Sequence, residues 1–245
     1  MGAIDVEEHL GLGLDKSLKF VDHNGNNVTI GDYFDDERPV LLTLNYYRCP
    51  VLCNVQLNEL TNTLKELDWT AGDEHFRIVT VSIDPREGTD LAAGKRKSHL
   101  KELGRGSDVD WAFLTGDAVN VKLLASQVGM GYAYDKNQDQ YAHPAVIAFL
   151  SPDGRIMRYV YGLTTVPNDL KFGLIEAGEG KIGTTVDRLI LSCFHYDSSL
   201  GRYGPFAFGI MRLGAAFTLL VIGSVLLIYW RKERAQGRVK SEASS

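Results

Sequence analysis

PVLLTLNYYRCPVLCNVQLNELTNTLKELDW (Pro39–Trp69) decides how this chain folds. Pro39–Tyr47 is a nearly continuous apolar run, the pattern of a strand buried on both faces. From Arg48 onward the pattern changes. Val51, Val55, Leu57, Leu60, Leu64 and Leu67 recur mostly at intervals of three or four, which predicts an amphipathic helix. A strand therefore hands over to a helix at Arg48–Cys53. Working outward, FVDHNGNNVTIGDYF (20–34) predicts a hairpin turning at Asn24-Gly25. RIVTVSID (77–84) and WAFLTG (111–116) are further strands. DLAAGKRKSHLKEL (90–103) is a solvated helix, and DAVNVKLLASQVG (117–129) is a helix with Asp117 as its N-cap. AVIAFLSPDGRIMRYVYG (145–162) is a hairpin turning at Pro152-Asp153-Gly154, and VPNDLKFGLIEAGEG (166–180) is a last helix. Strands alternating with helices and closing on a hairpin predict an α/β fold, a mixed central sheet flanked by helices on both faces.

Cys49 and Cys53 are four apart at that junction, so they lie on one helical face about a turn apart. The unpaired N–H groups and positive partial charge of a helix start favour thiolate over thiol. Pro50 suits a first helical turn. Two such thiolates are either a soft metal pair or a redox dithiol. Of six histidines, His9, His23, His75 and His99 sit in polar stretches and are expected at solvated surface. His143 differs, standing immediately before a buried strand in QYAHPAVIAFL. With the two cysteines it completes a Cys₂His set suited to Cu(I) or Zn(II).

The net charge of −5, with no basic stripe outside the extreme C-terminus, argues against nucleic acid. Leu213–Trp230 runs 18 residues without a charge, follows the apolar PFAFGIM, and ends in Tyr229 and Trp230. RKERAQGRVK comes next, with five Lys or Arg in ten residues. Length, interfacial aromatics and positive flank predict a transmembrane helix with its C-terminus in the cytoplasm. The soluble domain would then face the periplasmic or outer side of the cell (inner) membrane. No signal peptide is visible in MGAIDVEEHLGLGLDKSL (1–18). The expected organisation is a polar lead-in (1–17), one folded domain (18–180), a membrane-proximal connector (181–205), the membrane helix (206–230) and a basic tail (231–245).

LNYYRCPVLCNVQLNEL, then VTVSIDPREGTD, then YAHPAVIAFLSPDGRI resemble the Sco (SenC/PrrC) family of copper-handling cytochrome oxidase assembly proteins. The likeness covers roughly Leu18 to Gly178. It rests on a Cys-x-x-x-Cys pair, a Ser-x-Asp-Pro loop and a distant histidine, present in that order. It implies a thioredoxin-like fold, copper as cofactor held by Cys49, Cys53 and His143, and Asp84 as a supporting group near the metal. The implied function is copper delivery to the copper subunit of a haem–copper oxidase, by a metallochaperone rather than an established enzyme. Two positions depart from the family's pattern, Asn54 after the second cysteine and Pro144 after the histidine. Thioredoxins carry a cis proline at the latter place. The likeness raises the expectation of a cis Pro144, holding His143 against the cysteine face, above the base rate of about one in twenty.

Cys193, beside His195 in LILSCFHYD, reads either as a partly buried lone thiol or as a third thiol able to resolve a Cys49–Cys53 disulfide or ligate copper with His195. Two other functions compete with copper delivery. One is a membrane-tethered thiol–disulfide oxidoreductase in which Cys49 and Cys53 are the catalytic redox pair without metal. The other is a peroxidase of the peroxiredoxin type. The three-residue spacer weakens the first, and the lack of a Thr or Ser just before Cys49 weakens the second.

Overall fold

In the computed structural model the described residues are 4–34, 37–48, 52–72, 75–180, 194–197, 202–205 and 218–222. The chain opens with a hairpin of β1 (Lys19–Asp22) and β2 (Asn27–Thr29), turning through Gly25 at φ 86°. The Asp22 carboxylate stabilises the turn by accepting the backbone N–H groups of Asn24 and Asn26, each at 2.8 Å. All six residues of β3 (Val40–Asn45) are buried, as its uninterrupted apolar run requires. It leads through the cysteine segment into α1 (Leu52–Glu66). Next come β4 (Arg77–Ser82), α2 (Thr89–Leu103), β5 (Trp111–Thr115) and α3 (Ala118–Gln127). Asp117 caps α3 as expected, accepting from the N–H groups of Val119 and Asn120. A short hairpin, β6 (Ala133–Asp135) and β7 (Gln140–Ala142), was not expected from the sequence. β8 (Val146–Leu150), β9 (Ile156–Tyr161) and α4 (Pro167–Gly178) complete the fold.

The main sheet has seven strands in the order β2-β1-β5-β4-β3-β8-β9. β3, β4 and β5 are parallel, while β8, β9, β1 and β2 run against their neighbours. Alternation along β3 sends Val40, Leu42 and Leu44 to one face and Leu41 to the other. The first face packs under α3 through Val121, Leu124 and Ala125. The second packs under α1, α2 and α4 through Leu57, Leu60, Leu100, Leu170 and Leu174. Helices thus cover both faces of a mixed sheet, and the fold is thioredoxin-like. Each fully buried Leu, Ile or Phe contributes about 1.5–3 kcal/mol of transfer free energy.

A polar seam runs through the second face. Thr43 donates to Thr80 Oγ1 at 2.9 Å, and Trp111 Nε1–H donates to the same oxygen at 2.9 Å. His99 corrects the expectation of solvated histidines: it is buried, lying against Trp111 and Phe113. Its Nδ1–H donates to Thr61 Oγ1 at 3.0 Å, because that hydroxyl already gives its proton to the Leu57 carbonyl. The reason is helical geometry, since α2 turns His99 and Leu100 inward while Lys97 and Ser98 stay exposed. His9, His23 and His75 are half-buried, and His75 stacks on Trp69 with centroids 4.4 Å apart.

β10 (Phe194–Asp197) and β11 (Arg202–Pro205) form a two-stranded sheet of their own. Among the described residues no helix is long and apolar enough to cross a membrane. The expected span 206–230 lies outside the described residues apart from 218–222, which are helical.

Candidate metal centre

Strand direction brings the three motifs to one end of the sheet. β3 and β4 are parallel with Asn45 opposite Ser82, so the cysteine loop and the Asp-Pro loop leave the same edge. β8 is antiparallel to β3, with Thr43 opposite Ile147, so the segment entering β8 from His143 lies at that edge too.

Beyond Asn45, Tyr46 joins the α3-side core and Tyr47 the opposite one, and both are buried. Tyr47 is pinned by its hydroxyl, which faces the carbonyls of Leu114 (2.7 Å) and Thr80 (3.0 Å). Burial pushes its phenol well above the usual range, so it stays a neutral donor. The backbone N–H groups of Tyr47 and Arg48 both donate to Glu87, at 2.7 Å each, and Ser82 Oγ donates to the same carboxylate at 2.6 Å. Glu87 is only 5% exposed, so these bonds offset the cost of burying its charge. The chain is therefore clamped one residue before Cys49. Cys49 and Pro50 lie outside the described residues, and Cys53 is the second residue of α1, its side chain likewise outside them. Among the described residues no three His, Cys, Asp or Glu side chains gather to hold a metal.

His143 sits just beyond β7, half-buried, its ring edge-on to Tyr46 at 6.1 Å and 75°. Nδ1 lies 3.0 Å from the Pro144 carbonyl, which can only accept. Nδ1 therefore carries the proton and Nε2 is the unprotonated nitrogen of the ring. Burial lowers the pKa of His143 below the ordinary histidine value despite that bond, so the ring is neutral at pH 7. A neutral imidazole with a fixed tautomer is the form in which histidine ligates a metal, so this residue fits a soft cation. The expected cis bond before Pro144 is absent, since the described residues contain no cis peptide. The trans bond is compatible with the site because the bond from Nδ1 to the Pro144 carbonyl and the Tyr46 contact orient the imidazole directly.

Asp84, 1% exposed, follows β4 and is fixed by Ser82 Oγ, which accepts its N–H at 3.1 Å. Burial alone would push its carboxyl up. Hydrogen bonds from Arg86 and the charges of Arg86 and Arg48 outweigh this and hold it below the usual carboxylate range. The Arg86 fork grips it through Nε (2.8 Å) and Nη2 (2.8 Å). Arg86 also reaches the β6–β7 hairpin, donating to Asp139 at 2.8 Å and to the Tyr134 hydroxyl at 3.2 Å. Tyr134 itself donates to Asp139. Sequence reasoning singled out Asp84 and passed over Arg86, Glu87, Tyr46 and Tyr141. The adjoining charges in Pro85-Arg86-Glu87 were the available signal, but their partners lie 39 to 53 residues away. Cys193 lies outside the described residues, and His195 is described only as backbone of β10.

Solved structures share this fold. One from Aquifex aeolicus VF5 is 22% identical with a TM-score of 0.60, covering 69% of this chain and 95% of that one. Arabidopsis thaliana ScoI with copper bound is 19% identical with a TM-score of 0.53, covering 70% and 99%. BsSco, a Sco-family cytochrome c oxidase assembly protein in which a disulfide switch was identified, is 19% identical with a TM-score of 0.51, covering 71% and 99%. By sequence the chain matches no curated protein. The SCO1/SenC profile matches residues 9–170, about two thirds of the chain, and that stretch contains the cysteine loop, the Asp-Pro loop and the histidine. On that match the chain belongs to the SCO1/SenC family.

Proposed function

We propose that this chain is a membrane-anchored copper metallochaperone of the Sco type. Cys49, Cys53 and His143 bind copper as cargo, as Cu(I) or Cu(II), and deliver it to the copper centre of a cytochrome oxidase. The observation that carries this reading is His143, a neutral imidazole with a single tautomer, placed at the sheet edge where the cysteine loop begins. Two thiolates and one imidazole suit Cu(I), which accepts three ligands. The copper-bound ScoI structure, which shares the fold, supports the same cargo. Asp84 serves the site indirectly, through Arg86. The uncharged run 213–230 and its basic flank support a C-terminal membrane anchor, with the folded domain on the outer face. Tethering raises the effective concentration for meeting an oxidase subunit in the same membrane.

The test is anaerobic Cu(I) loading of the full-length chain in detergent, beside Cys49→Ser, Cys53→Ser and His143→Ala. One copper per chain, lost or strongly weakened in all three variants, is expected. The disulfide switch identified in BsSco favours a second reading, a thiol–disulfide oxidoreductase using Cys49 and Cys53 without metal. No copper retention together with ready cycling of that pair would select it. Cys193→Ser belongs in the same series, and unchanged copper retention and thiol titration would remove Cys193 and His195 from the site.

A further inference from the structure

Within the Asp-Pro loop, neighbouring residues grip the two halves of the site from opposite sides. Glu87 accepts the backbone N–H groups of Tyr47 and Arg48, directly before Cys49. Arg86 holds the hairpin directly before His143. Its guanidinium carbon lies 4.9 Å from the Tyr134 ring centroid and 5.9 Å from that of Tyr141, besides its bonds to Asp139 and the Tyr134 hydroxyl. Tyr141 and His143 are two apart on an extended segment and therefore share a side, where both meet Tyr46. The hairpin has three residues per strand and an exposed turn, and an isolated two-stranded ladder of that size is marginal. The Asp84 anchor is buried and held at its own N–H. The rigid partner is thus the Asp-Pro loop, and the hairpin takes its place from Arg86.

We propose that residues 84–87 act as a yoke that sets the spacing between the dithiol and the imidazole, with Glu87 and Arg86 as positioning residues. The proposal rests on reading Cys49, Cys53 and His143 as the donor set, but it makes a prediction about the metal-free protein as well. Arg86→Met frees the hairpin from Asp84, Glu87→Gln turns one acceptor into a donor facing a backbone N–H, and neither replaces a proposed ligand.

The first measurement is amide hydrogen exchange on the metal-free full-length chain. In R86M, exchange in residues 133–135 and 140–142 should rise at least about ten-fold while β3, β4 and β8 keep their protection. In R86K, which keeps the charge but loses the fork, the rise should be intermediate. The second is Cu(I) affinity by competition. R86M should lose about 10–100-fold, as losses of groups orienting a ligand typically do. On an H143A background R86M should cost nothing further, because it acts through that imidazole. E87Q should still weaken copper on that background, because it acts through the thiols. If E87Q does not fold, Glu87→Asp, which keeps a carboxylate but draws it back from the two backbone N–H groups, takes its place. Unchanged hairpin exchange in R86M, or an equal loss with and without His143, overturns the yoke. Loosening of the hairpin in a chain that takes up no copper overturns the copper reading and leaves the yoke standing.

Discussion

His99 lies 4% exposed between Trp111 and Phe113, and burial holds its pKa down at about 4 against an ordinary 6.5. Above pH 6.5 the ring is neutral in both folded and unfolded states, and its contribution is fully present. As pH falls from 6.5 toward 4 the unfolded chain takes up a proton that the folded chain refuses, so stability is lost across that window. The loss by pH 4.5 is about 2–3 kcal/mol. Urea titrations at pH 7 and 4.5 should show it, and His99→Gln should remove most of that pH dependence at some cost in packing. Thr80 is the matching case for a neutral group. Thr80→Val keeps the volume but strips the acceptor from Trp111 Nε1–H, and a buried donor left unpaired costs about 1–3 kcal/mol. Thr43→Val, which leaves the Trp111 bond intact, should cost less in the same denaturation series. Neither role was legible along the chain. A histidine in DLAAGKRKSHLKEL looks solvated until the helix turns it inward, and a threonine in a strand does not announce which indole it serves.

Among the elements, the long ones were readable and the short hairpin that leads into His143 was not. β3, α1, β4 and β5 each show their period over five residues or more, whereas Ala133–Asp135 and Gln140–Ala142 are three residues each with little buried face. The N-terminal segment shows a second tertiary dependence. Glu7 N–H donates to the Gly129 carbonyl at 2.9 Å, and Gly129 has φ +73°. A Cβ there would stand 1.8 Å from the Glu7 carbonyl oxygen. Gly129→Ala should therefore cost at least about 1–2 kcal/mol for the left-handed backbone alone. It should also detach residues 5–9, seen as faster hydrogen exchange or new proteolysis confined to that segment.

At the scale of the whole molecule, copper as cargo predicts linkage. Loading the full chain with free Cu(I) at 100 times its Kd should stabilise it by about 2.7 kcal/mol. For a chain of this size that is roughly 5–10 °C in Tm, reversed by a Cu(I) chelator and absent in H143A. The proposed anchor makes an independent prediction: the full chain should resist carbonate extraction from membranes, and removal of 206–245 should release it. The strand-to-helix handover and the candidate ligands Cys49, Cys53 and His143 could be named from the sequence, because strand and helix periods and soft-ligand chemistry are local properties, while the family and the candidate Asp84 came from the resemblance of three motifs. Tertiary structure alone decided the trans bond before Pro144, the tautomer of His143, the burial of His99 and the grip of Arg86 and Glu87 on the two edges of the site. The grips of Arg86 and Glu87 join residues 39 to 53 positions apart and the bond from His99 to Thr61 joins residues 38 apart, and only the closed sheet makes such residues neighbours. The tautomer of His143 is set by the carbonyl of the next residue, in a backbone geometry that the sequence does not announce.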